Sequence, residues 1–312
     1  MSPLSLLLPR AQDCTNISAD CPVSQSFYGY SPSLGPDITL LVLFSMALVG
    51  HGVQGWYYRA WGTLTAMLWG CICEVLGYIG RLMMHPNAFN LNGFLIQICC
   101  LTIAPAFFSA AIYLCLSRLV LLFGTEVSRL PPKYYAYIFI SCDIVSLALQ
   151  GAGGGLASVA AQNDTSLTVG DNFQLAGLAF QVASLTLFAV LSAEYAFRVY
   201  RSPQASARAP GIFRHNKGLI YFLVALATSW LFIEIRCIYR VIELAGGWGS
   251  SLMKKQTDFV VLEGAMIIIA VGVLNAFYPG KYLNRAVDPE RLDEKKASDT
   301  ELATPTMSAT VF

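Results

Sequence analysis

Glu74, Asp143 and Glu263 are carboxylates set within long apolar stretches, and Arg81, Arg236 and Arg240 are arginines in the same kind of sequence. Glu74, Tyr78 and Arg81 are spaced four and three apart, so they line one helical face, and Arg236, Arg240 and Glu243 repeat that spacing. A carboxylate and a guanidinium one or two turns apart can neutralise each other, which makes Glu74 and Arg81 an expected pair. Asp143 and Gln150 share another face with Ser146 between them, and Gln181 adds a further amide. Groups of these types can hold a charged headgroup or carry acid/base chemistry. No histidine or serine nucleophile with a suitable base accompanies the carboxylates, so an enzyme is the weakest reading and no residue is assigned as catalytic. An ionisable group at mid-bilayer costs about 2.5–3.5 kcal/mol on insertion scales, so each is a functional candidate by default.

The elements that must position these groups are membrane helices. A bilayer core takes about 20 apolar residues per helix, and the windows near 38–58, 62–82, 93–117, 134–156, 173–197, 219–241 and 259–279 all qualify. Composition agrees: of 312 residues, 55% are hydrophobic and 12% charged, against about 25% charged in a soluble domain. The expected architecture is an all-α, polytopic seven-helix bundle. It comprises an exoplasmic segment over 1–36, a membrane domain over 37–280 and a disordered cytosolic tail over 281–312. The net charge of +1 points to no nucleic-acid partner.

Basic residues orient the bundle, because they are retained on the cytoplasmic side. Arg129 and Lys133 follow the third window, Arg201, Arg208, Arg214 and Lys217 follow the fifth, and Lys281, Arg285, Arg291, Lys295 and Lys296 lie in the tail. The opposite face carries Arg10, Lys254 and Lys255. The amino terminus is therefore expected outside and the carboxyl terminus in the cytosol. Two N-glycosylation sequons, at Asn16 and Asn163, then fall on the exoplasmic face. Cys14 and Cys21 are the two cysteines outside the windows, close together in a segment facing an oxidising compartment, and a disulfide between them is expected. The other seven read as small packing residues, with no second ligand type to suggest a metal. The leucine-rich run over 2–10 lacks a basic start and is too short for a signal peptide.

With this orientation Arg81, Arg236, Arg240, Glu243 and Glu263 converge on the outer leaflet, and Glu74 lies roughly 12 Å below the outer end of its helix. Glu74 would form the floor of such a pocket. Pro105 must free a carbonyl in the third helix and bend it. The run Gly151, Gly153, Gly154, Gly155 lacks the lysine of a phosphate loop and reads as close helix packing. His51, Gln54 and Gln97 read as interhelical hydrogen-bond formers; Arg118 and Glu194 read as interface anchors.

Two familiar seven-helix classes are disfavoured. The last window contains no lysine for a retinal Schiff base, and Ser117-Arg118-Leu119 and Asn275-Ala276-Phe277-Tyr278-Pro279 depart from the rhodopsin-like receptor pattern. The motifs match elsewhere. Glu74-x-x-Gly77-Tyr78-x-x-Arg81, Ala104-Pro105 with Tyr113 and Arg118, Asp143 with Gln150 and its glycines, and Gly177 with Gln181 form one ordered set. Arg236, Arg240 and Glu243, then Glu263-Gly264 and Tyr278-Pro279-Gly280, complete it. Together these resemble the fungal RTA-like seven-helix proteins, called lipid-translocating exporters, over about 30 to 280.

The resemblance implies a plasma-membrane or vacuolar protein that moves amphipathic lipids such as sphingoid long-chain bases, or confers resistance to toxic amphiphiles. Some relatives are linked to porphyrin or haem movement. Members often carry an acid about two turns before the helix-seven carboxylate, where this chain has Gln256; one outer carboxylate is missing. The reading is a transporter of amphipathic molecules, with membrane lipids as partners, no cofactor, and Glu74 or Glu263 facing an ammonium group. Its alternative is a non-transporting sensor for lipid or porphyrin-like ligands, and self-association is left open. An epitope at the carboxyl terminus should bind antibody only after permeabilisation; labelling of intact cells would reverse the orientation.

Overall fold

The computed structural model describes residues 19, 21–26, 28–162, 166, 168–203, 205–206, 210, 213, 218–246 and 255–287. Cys14, Asn16, Asn163, the basic residues Arg10, Arg208, Arg214, Lys217, Lys254, Arg291, Lys295 and Lys296, and the tail from 288 lie outside them.

Seven apolar segments form helices long enough to cross a bilayer. They are α1 (Leu34–Tyr57), α2 (Trp61–Met84), α3 (Leu91–Phe123), α4 (Pro132–Gln162), α5 (Thr168–Arg201) and α6 (Gly218–Ala245). The seventh, α7, runs through a turn at Gln256–Asp258, a π-helical stretch at Phe259–Ala265 and an α-helical part at Met266–Ala276. Burial is inverted relative to a soluble protein: Arg81 and Arg236 are 0% and 1% exposed, while Met46, Val49 and Val53 on α1 are about two-thirds exposed. Hydrocarbon outside the bundle accounts for this, since it solvates apolar side chains and leaves charges nowhere to go but inward.

Successive helices pack as neighbours around a ring that closes where α7 meets α1, and α3 also reaches α5 and α6. Short connections impose the antiparallel order. Only residues 58–60 join α1 to α2, with Arg59 at φ 52°, and Asn90 caps α3 by accepting a hydrogen bond from the Gly93 amide. Glycines set the tightest crossings. A Cβ on Gly80 would stand 2.7 Å from the Gly93 carbonyl, joining α2 to α3, and one on Gly153 would stand 2.6 Å from the Gly170 carbonyl, joining α4 to α5. The expectation of close packing in the glycine run is met at Gly153; Gly151 and Gly155 face open space.

One boundary differs from the sequence expectation. The chain past 280 continues as a helix, α8 (Pro279–Val287), because Leu283 is fully buried against the bundle and Tyr282 stacks on Phe222. At the other end, the segment before α1 is held against the helices: Tyr28 is buried, Ser31 donates to the His85 carbonyl, and Cys21 is disulfide-bonded. The cysteines of the spans are free.

Because the Gly80 neighbours are backbone atoms that cannot step aside, Gly80→Val should lower stability by about 1–3 kcal/mol. Gly151→Ala should leave stability unchanged or raise it slightly. Thermal unfolding in detergent measures both; equal effects would show that the α2–α3 crossing tolerates a wider spacing.

Candidate functional site

Pro105 has no N–H, so the Leu101 carbonyl one turn earlier loses its helical partner. Arg236 on α6 supplies the missing donor: its Nη2 donates to the Leu101 oxygen at 2.6 Å and to Glu263 Oε1 at 2.5 Å. Glu263 lies in the π-helical stretch of α7, an irregularity often found at functional sites. Farther along α6, Arg240 Nη1 donates to Glu243 Oε2 at 2.5 Å, and its Nε stands 3.9 Å from Glu263 Oε2. The two arginines of α6 thus share one carboxylate of α7.

Arg81 does not pair with Glu74. Its Nε donates to Asp37 Oδ1 at 2.8 Å, with both side chains buried. The reason is the antiparallel hairpin: α1 begins at the level where α2 ends, so an acid three residues into α1 stands beside an arginine three residues before the end of α2. Arg81 also lies over the Phe259 ring at 3.9 Å and is flanked by Tyr28 and Tyr30, donating to the Tyr30 hydroxyl at 3.1 Å. Burial raises both phenols above their usual range despite the nearby Arg81, so each stays neutral. The amino-terminal segment is therefore a cover on the site.

Tyr78 links the two halves. It stacks on Phe44 with centroids 5.6 Å apart, and a Cβ on Gly264 would stand 2.7 Å from its hydroxyl, so α7 needs a glycine there. Glu74 is 2% exposed and lies within the electrostatic reach of Arg236 and Glu263, with no salt bridge of its own. Among the described residues Arg81, Arg236 and Arg240 face four carboxylates, and Glu74 is the one left over.

Beside the cluster, Gln150 Nε2 donates to Ser146 Oγ and to Gln181 Oε1, and Ser146 donates to the Gly177 carbonyl. These amides join α4 to α5. A cleft between α3, α4, α5 and α6 is lined by Thr102, Gln150, Gln174, Arg240 and Glu243, with an enclosed volume of about 20 Å³, room for about one water. The structure thus gathers Glu74, Tyr78, Arg81, Arg236, Arg240, Glu243 and Glu263, with Gln150 and Gln181 in the adjoining wall. Asp143 is not among them. It lies two turns from Gln150 along α4, facing Tyr113.

Sequence reasoning missed four residues. Asp37 precedes the first apolar window and looked like a flank; its signal was a lone acid level with Arg81 across a short connection. Tyr28 and Tyr30 carried no periodic pattern. Glu234, two residues before Arg236 and so on the opposite side of α6, accepts from Thr186 Oγ1 at 2.6 Å and turns toward α5. Gln256 donates to Ser33 Oγ and ties the starts of α7 and α1. Among the described residues no cluster of three metal-ligating side chains occurs.

The family model described as "RTA1 like protein" matches residues 67–286. The chain belongs to the RTA1-like family. The RTA1-like match spans every cluster residue from Glu74 to Glu263 and begins after Asp37, Tyr28 and Tyr30. The sphingoid long-chain base transporter RSB1 of Saccharomyces cerevisiae is 35% identical, over 89% of this chain and 78% of the relative. Protein RTA1 of the same yeast is 25% identical over 88% of this chain and 94% of its own, and Protein RTM1 is 28% identical over 68% and 66%. No solved structure matches this RTA1-like chain.

The pairing scheme predicts specific couplings. Removing one partner of Asp37–Arg81 or Arg236–Glu263 should cost about 3–5 kcal/mol, with a coupling of about 0.5–3 kcal/mol in each double-mutant cycle. Glu74→Gln and Arg81→Met should be additive. Chemical denaturation in detergent reads all three cycles; strong Glu74–Arg81 coupling with none for Asp37–Arg81 would reverse the assignment.

Proposed function

We propose that this RTA1-like protein is a transporter of sphingoid long-chain bases or similar cationic amphiphiles, with Glu74 as the acceptor for their ammonium group. The observation that carries this reading is the charge balance of the cluster. Asp37, Glu243 and Glu263 are matched by Arg81, Arg240 and Arg236, and Glu74 adds one carboxylate without a salt bridge. Ionisation of a buried carboxyl group of this kind is costly until a cation arrives. An ammonium on an apolar chain supplies that cation while its tail stays in hydrocarbon.

The name of the RSB1 relative agrees in chemistry. Gln150, Gln174 and Thr102 on the cleft wall offer hydrogen-bond partners for hydroxyls beside the ammonium. The cleft is too small for a headgroup as it stands, so the bundle must open to admit one. Arg240–Glu243 lies on that path, since both line the cleft and Arg240 is slightly exposed. No covalent step is assigned. The proposal keeps the amino terminus and both sequons exoplasmic, Cys14 bonded to Cys21, the tail beyond α8 cytosolic and the plasma membrane as the site of action, where export confers resistance to toxic amphiphiles.

Glu74→Gln removes the charge and keeps the shape. In proteoliposomes it should slow movement of a labelled sphingoid base by at least about tenfold, roughly 1.4 kcal/mol, at unchanged protein abundance. Wild-type movement by that variant would dismiss Glu74 as the acceptor. Binding of the base by wild-type protein without any movement would favour a sensor over a transporter.

A further inference from the structure

The carboxyl group of Asp143 is 4% exposed, and neither oxygen has a well-formed hydrogen bond among the described residues. From α3 it faces the Tyr113 hydroxyl, itself fully buried and without a hydrogen bond. From α6 it lies within electrostatic reach of the Cys237 thiol. Packing from α5 at this level is provided by Phe188. Among the described residues no lysine, arginine, histidine or second carboxylate acts on it. A charged carboxylate here has only the Tyr113 hydroxyl to set against its desolvation, so in this conformation the group carries its proton.

The surroundings are asymmetric along the helix axis. On one side Tyr113, Phe139 and Phe188 close a triangle of rings with centroids 4.5, 5.2 and 5.5 Å apart. Phe139 precedes Asp143 by one turn of α4, so this plug faces the start of the helix. On the other side α4 presents Ser146 and then Gln150, and Gln150 opens on the cleft with Arg240 and Glu243. Cys237 follows Arg236 directly and is reached by both Asp143 and Glu263. The Asp143 site and the ion-pair cluster therefore share a wall on α6.

We propose that Asp143 is a proton-binding site, loaded in the closed bundle and emptied when the cleft opens, which couples movement of the amphiphile to movement of a proton. Opening lets water past Gln150; hydration stabilises the carboxylate, and the proton leaves to that water. Closing expels the water and the carboxylate takes a proton back. The coupling rests on the transport reading, whereas proton binding at Asp143 does not.

Two measurements separate them. A hydrophobic carbodiimide, which reacts with protonated buried carboxyl groups, should modify Asp143 in the purified full chain, read by mass spectrometry. Absence of modification at every pH tested would overturn the site. In proteoliposomes, movement of a labelled sphingoid base should respond to an imposed pH gradient. Asp143→Asn should lose that response while keeping base exchange at equal pH, and Asp143→Glu should restore part of it. A gradient response that survives in Asp143→Asn would overturn the coupling. Wild-type protein modified at Asp143 that moves no base under any gradient would instead overturn the transport reading and leave the proton site standing.

Discussion

A guanidinium cannot rest in hydrocarbon without partners, and the arrangement around Arg236 meets that constraint. One nitrogen serves both a carbonyl that proline has stripped of its amide and a carboxylate that a widened helical stretch presents. Each of these irregularities is unfavourable alone. A proline inside a helix leaves a bare oxygen, a π-helical stretch gives up regular hydrogen bonding, and a buried arginine demands charge. Together they satisfy one another, and α3, α6 and α7 are held in a single register.

From that point the remaining charges fall into place by proximity. Glu263 also feels Arg240, which holds Glu243, and on the far side of Tyr78 the hairpin of α1 and α2 closes its own pair. The result is a chain of compensated charges across α1, α2, α6 and α7, with Glu74 beneath it as surplus.

Much of this was legible in the sequence, and the rest was hidden for identifiable reasons. Spans follow from length and apolarity alone, and the convergence of Arg236, Arg240, Glu243 and Glu263 follows from spacing plus direction of travel. Spacing within one helix, however, says only which residues share a face, not which neighbour that face meets. Arg81 therefore looked like a partner for Glu74, when the deciding fact was the level of α1 beside α2. Glu234 was hidden by its proximity to Arg236, because two residues along a helix point in nearly opposite directions. The π-helical stretch has no periodic signature that seven residues could reveal, and Asp143 shares a face with Gln150 yet lies two turns away along α4, too far to join the ion-pair cluster.

The bond between Arg236 and Glu263 also has a consequence for biogenesis. Chains are made from the amino terminus, so α6 enters the membrane while Glu263 is still unsynthesised. The Leu101 carbonyl, already present in α3, is the partner available to the arginine at that stage. Until α7 arrives, the three arginines face three carboxylates, Asp37, Glu74 and Glu243, and Glu74 is the one within electrostatic reach of Arg236. The last helix thus does more than close the ring. It brings the fourth carboxylate, which takes Arg236 and leaves Glu74 as the surplus.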